Sequence, residues 1–276
     1  MEKRAVIAIL TIAAFVVAQK LAEFLKLFDW FIELEAFERG VVYKLLAYVV
    51  LPLVVLAMFH GLRNMFDMAG LTRAKFKTGI KVGFIGTLPM LLGAGYLDHF
   101  DLTVNLPAIM AGCLLAAVGE ELLFRAMLFG QLFRHARWGF LVAGMASAVL
   151  FSFGHLYQAD SIGSVVGILL VTFMGGMWFS WLYVEYGYNL WVPISYHFFM
   201  NLSWTIFDVS DTALGGVAPN IFRAATIALS IYLTIRHKRK NGEKWTVTGR
   251  RWWSGRTSPT TDNQSAQPLK FKTGTP

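Results

Sequence analysis

Apolar positions along this chain gather into eight long runs separated by short polar connections: 5–28, 41–60, 79–97, 106–133, 138–157, 161–184, 190–207 and 216–235. A helix rises about 1.5 Å per residue, so a run of about 20 residues crosses the hydrocarbon of a bilayer. The pattern therefore predicts an all-α fold, a polytopic bundle of about eight transmembrane helices over residues 1–235. Residues 1–18, with a basic start and a short apolar run, also fit a signal peptide. A first span is the better reading, because apolar residues continue past Lys20 and Glu23 to Phe28. Gly79 and Gly83, four apart, would allow a neighbouring helix to come close, and Gly175-Gly176 would do the same.

Composition agrees with the pattern. Of 276 residues, 56% are hydrophobic and 15% charged, against about 45–50% and about 25% in a soluble domain. Disordered, fibrous and disulfide-scaffold classes are excluded, and the single Cys113 rules out an internal disulfide.

Charge then orients the bundle. Residues 1–235 carry 15 basic and 15 acidic residues, so the net +8 lies wholly in residues 236–276. That segment, with Arg236, Lys238, Arg239, Lys240, Arg250, Arg251 and Arg256, is too polar to order itself. It is expected to form a disordered cytoplasmic tail touching anionic lipid head groups, with Trp245, Trp252 and Trp253 as interfacial anchors. A nucleic-acid partner is not expected. Basic residues also occupy alternate connections (Arg63, Arg73, Lys75 and Lys77, then Arg134 and Arg137), whereas those at 29–38, 98–101, 160 and 208–211 are acidic. Both termini are thus expected in the cytoplasm. Short connections and the lack of an organelle signal point to a prokaryotic plasma membrane.

Ionisable groups inside such runs cost about 2.5–3.5 kcal/mol each at a helix centre, and they persist where they pair or line a polar cavity. The fourth run holds Glu120, Glu121 and Arg125. Glu121 and Arg125 are four apart and can form an ion pair, which leaves Glu120 as a candidate general acid or base. The fifth run holds Phe151 and His155, the seventh His197 and Asn201. A carboxylate with an imidazole can polarise a water, and a second imidazole with an amide can stabilise an oxyanion. Lys44, Glu185 and Arg223, near run ends, are expected to snorkel, and His60, His99 and His135 to be solvated. If His155 and His197 stand on straight, upright helices, they lie roughly 25 Å and 10 Å from the cytoplasmic end. Their meeting therefore requires a tilt or a later helix start.

The segments Glu120-Glu121-Leu-Leu-Phe-Arg125, Phe151 to His155 and His197 to Asn201 read EExxxR, FxxxH and HxxxN, in that order on successive helices. Over roughly residues 106–202 the chain resembles the CAAX protease and bacteriocin-processing family of intramembrane glutamic endopeptidases. The resemblance implies that Glu120 and His155 activate the attacking water, that His197 and Asn201 stabilise the oxyanion, and that Glu121, Arg125 and Phe151 support them. It implies no cofactor and no metal, with a membrane-associated or leader peptide as substrate in a cytoplasm-accessible cavity. Two alternatives stand beside it. One is a non-proteolytic scaffold or transporter-like partner that uses the polar cluster for binding. The other is a zinc protease with Glu120, His155 and His197 as ligands, although no HExxH is present.

Overall fold

The computed structural model describes residues 3–254. Within them the chain is helical without a β-strand, and an isolated bridge joins Trp138 to Ser254. Each expected run forms a helix: α1 (Lys3–Leu25), α2 (Ala36–His60), α3 (Arg73–Leu97), α4 (Leu106–His135), α5 (Phe140–Phe153), α6 (Ile162–Glu185), α7 (Trp191–Ile206) and α8 (Val217–Asn241). Seven stretches are long and apolar enough to cross a membrane, and α7, at 16 residues, falls short of that length. The chain is an integral, multi-pass membrane protein. Large apolar side chains such as Val16, Met58 and Leu170 stay exposed on outer helix faces, as a lipid-facing surface requires.

Local chemistry sets the ends. Asn105 caps α4 by accepting a bond from the Ala108 amide at 3.1 Å, with Pro107 in the first turn. Ser161 accepts from the Ser164 amide at the start of α6. Gly242, left-handed at φ 65°, stops α8 just after Lys238, Arg239 and Lys240, where cations suit the negative end of the helix dipole.

Close approach of α3 and α7 positions half of the site. Gly79 and Gly83 are buried against α7, and a Cβ at either would run into Trp191 or Ser195. The small-residue pair read from the sequence thus has a partner, and that partner is the helix carrying His197 and Asn201. The Gly175-Gly176 pair divides: Gly176 lies against Ala148 on α5, while Gly175 has open space beside it.

Beyond residue 236 the structure differs from the expected disordered tail. Helix α8 continues to Asn241, and residues 242–254 fold back on the basic end of the bundle. Glu185, expected to snorkel, is fully buried and accepts bonds from the Thr246 and Val247 amides, each at 2.9 Å. It also pairs with Lys238 at 3.2 Å. Trp252 meets Phe140 edge-on and Trp245 stacks on Trp181. A buried carboxylate gathers these donors because leaving it unpaired costs several kcal/mol. His60 and His135 are not simply solvated either: His60 bonds Gln131 at 2.9 Å and its ring lies 4.5 Å from that of His135. His99 is exposed as expected. The basic residues from Arg256 onward lie outside the described residues.

Two substitutions test this account. Gly83→Val forces α7 off α3 and should lower stability by about 3 kcal/mol, at the upper end of ordinary overpacking, read as earlier thermal unfolding in detergent. Glu185→Ala leaves the Thr246 and Val247 amides without their acceptor and Lys238 with Glu243 at 3.4 Å as its remaining counter-charge. It should cost about 1–3 kcal/mol, with residues 242–254 becoming cleavable in limited proteolysis.

Candidate active site

Glu120 and Glu121 are neighbours on α4, so their side chains leave the helix about 100° apart. One faces a cavity and the other the core. The stretch Glu121–Phe129 has the wider hydrogen bonding of a π-helix and is buried at every position; such widening is frequent at functional sites.

The core-facing carboxylate is the hub of a closed network. Glu121 Oε1 lies 2.8 Å from His197 Nδ1, and Glu121 Oε2 lies 3.2 Å from Arg125 Nε. The Arg125 guanidinium is fully buried, 4.5 Å from the Phe151 ring centre and 5.4 Å from that of Phe179. Its two terminal nitrogens have no hydrogen-bond acceptor, so the ring faces replace one. A desolvated cation over an aromatic face gains about 2 kcal/mol. Phe151 therefore serves Arg125 before it serves His155. With Nδ1–H given to Glu121, the His197 ring turns Nε2 toward Glu120, whose Oε2 is 3.8 Å away.

Glu120 itself is the less committed carboxylate. Its Oε2 is buried without a hydrogen bond, and its Oε1 is 3.8 Å from Lys44 Nζ. Local spacing on α4 offers Glu120 no partner; tertiary packing brings it Lys44 from α2 and His197 from α7. Lys44, more than 70 residues away and outside the motifs, was not expected there, whereas His197 belongs to the third motif and was expected in the same site.

A cavity of about 610 Å³ collects the remaining groups, with Glu120, Phe151, His155, His197 and Asn201 all in its lining. Both histidines line it, from different helices. His155 sits just past the end of α5, on the turn that follows Phe153. Its Nδ1 donates to the Phe151 carbonyl at 2.9 Å and its ring lies 4.5 Å from that of Phe151, leaving Nε2 unengaged. Asn201 donates to the Gly112 carbonyl at 3.0 Å, tying α7 to α4. Glu121 and Arg125 stand behind the cavity wall, outside its lining. Arg223, expected to snorkel, points inward: it lines the cavity, bonds Asn220 and the Ala213 carbonyl at 2.7 and 2.8 Å, and lies over Trp204. Among the described residues no three His, Cys, Asp or Glu side chains form a group that could hold a metal ion.

Residues 102–203 match the model of a protein family described as type II CAAX prenyl endopeptidase, Rce1-like. The matched segment runs from the α3–α4 connection into α7 and includes every motif residue from Glu120 to Asn201, which bears out the resemblance drawn from those motifs. No curated protein and no solved structure matches the chain.

Arg125→Met leaves Glu121 buried and half-paired, and should cost about 3–5 kcal/mol as a lower unfolding temperature in detergent. Arg125→Lys should recover only part of that loss, because a compact ammonium cannot spread between two ring faces and still meet Glu121.

Proposed function

We propose that this protein is an intramembrane endopeptidase that hydrolyses a peptide bond of a membrane-associated or leader peptide, with Glu120 as the proton-transferring carboxylate. The family match supports a CAAX-type protease. The observation that carries the reading is that a carboxylate with a buried oxygen free of hydrogen bonds, two imidazoles and an amide line one cavity inside a membrane bundle. Structural ion pairing alone accounts for Glu121 and Arg125 but not for Glu120, His155 and Asn201.

In the proposed reaction Glu120 accepts a proton from a water held between it and an imidazole. The hydroxide so formed bonds to the scissile carbonyl carbon, and charge moves to the carbonyl oxygen. Asn201 Nδ2, now on the Gly112 carbonyl, turns to that oxygen together with His197, which donates from Nε2 as an imidazolium because its Nδ1–H is held by Glu121; the resemblance implies this role for both. The C–N bond then breaks, and Glu120 returns its proton to the departing amine. His155, its Nδ1 held by the Phe151 carbonyl, offers Nε2 to the water. Glu121 is a positioning residue that fixes which nitrogen of His197 meets the cavity.

Anionic head groups are the proposed lipid contact at the basic end. Arg4, Arg137 and Arg250, from three distant parts of the chain, line one cleft of about 540 Å³ there, and Trp253 beside it is largely exposed.

The test is cleavage of a library of membrane-tethered peptides in detergent, comparing wild type with Glu120→Gln, with and without a chelator. Removing a general base costs about 10²–10⁴-fold, so Glu120→Gln should lose cleavage by that factor, while the chelator should leave wild type unchanged. Undiminished cleavage by Glu120→Gln overturns the assignment, and loss on chelation followed by recovery with zinc favours a metalloprotease.

A further inference from the structure

We propose that the cavity opens on the extracytoplasmic face of the membrane, so that the peptide it cuts is an exported segment or the outer juxtamembrane stretch of an anchored protein. This inference rests on the proteolytic reading for its substrate, but its geometry is independent of that reading.

The rim of the cavity belongs to one end of the bundle. Tyr157 and Gln158 come from the α5–α6 connection, Asp211 and Thr212 from the α7–α8 connection, and Asn220 from the first turn of α8. These segments are joined to one another, with the Ala213 amide donating to Gln158 Oε1 at 2.7 Å. Tyr157 is 83% exposed at that rim. Toward the other end the way is closed. Behind Glu120 lie Glu121 and Arg125, and behind those Phe129, Phe133 and Tyr183, all of them at 2% exposure or less.

The two ends differ sharply in charge. At the closed end Arg134 bonds the Met68 carbonyl and Lys75 the Gly187 carbonyl, each at 2.8 Å. There the basic connections 61–78 and 134–139 and the last turn of α8 come together with Arg4 and Arg250. At the open end the connections 98–105, 158–161 and 207–216 contain Asp98, Asp101, Asp160, Asp208 and Asp211 and no lysine or arginine, and the connection 26–35 sets Lys26 against Asp29, Glu33 and Glu35. Every connection within the bundle is short, which is the condition under which lysine and arginine determine which side faces the cytoplasm. The basic end is therefore cytoplasmic, and the open end is not. This reverses the sequence-based expectation of a cytoplasm-accessible cavity. That expectation rested on the three motifs, which do not say where the cavity opens, whereas the rim is built from the far ends of α5, α7 and the start of α8.

Single cysteines test the sidedness without any cleavage assay. In a Cys113→Ser background, Tyr157→Cys and Leu62→Cys report the two ends; Leu62 is 75% exposed after α2. Intact cells are treated with a membrane-impermeant maleimide, then compared with permeabilised cells. The expected result is full labelling of Tyr157→Cys in intact cells, and labelling of Leu62→Cys only after permeabilisation. The reverse pattern, or equal labelling of both in intact cells, overturns the proposal. Ile162→Cys and Arg137→Cys form a second pair if either of the first variants fails to accumulate. Because labelling requires no proteolysis and the Glu120→Gln assay in detergent requires no sidedness, failure of one idea is distinguishable from failure of the other.

Discussion

A guanidinium buried at the centre of a membrane bundle is the constraint that the rest of the structure answers to. Arg125 cannot shed its charge and cannot reach water, so the fold must surround it with compensation. Glu121 supplies the counter-charge one turn away, and Phe151 and Phe179 supply ring faces from α5 and α6. Because Glu121 also holds His197, the same network joins α4 to α7. Four helices are thereby held in one arrangement by a single charge, and it is the arrangement in which the motif residues face a common cavity.

Adjacent carboxylates on one helix acquire opposite tasks through that geometry. Glu121 is spent on Arg125 and His197, and its value lies in rigidity. Glu120, a residue earlier and about 100° around the helix, keeps Oε2 free of hydrogen bonds and meets Lys44 and His197 at 3.8 Å. In the proposed reaction the carboxylate that transfers the proton stays uncommitted while the one that positions is fully committed, and the EE pair supplies one of each. Glycine completes the arrangement, since the absence of side chains at Gly79 and Gly83 brings α7 near enough for His197 to reach Glu121.

The basic end follows a similar rule with different parts. Glu185 is as deeply buried as Glu121 and is answered by Lys238 and by two backbone amides of residues 246 and 247. Satisfying one buried carboxylate thus anchors a stretch whose composition alone suggests disorder. Burial at this end and openness at the other give the bundle a direction along the membrane normal, and the charge of the connections runs along the same direction.

What the sequence by itself determined is the set of properties that depend on local periodicity and composition. The eight helical runs, the membrane setting and the Glu121–Arg125 pair are all readable from spacing, because helix length and i, i+4 neighbours are local quantities. The three motifs, and through them the family that residues 102–203 match, were equally legible. Tertiary structure alone decided what crosses between distant segments: Lys44 beside Glu120, Arg223 in the cavity wall, Glu185 with Lys238, and Phe151 as a seat for Arg125. These contacts link residues tens of positions apart, or more than a hundred for Gly83 and Ser195, and no period in the chain announces them. Burial inverted the reading of Glu185 and Arg223, since a charge near a helix end can turn toward water or inward, and only the neighbouring helices determine which.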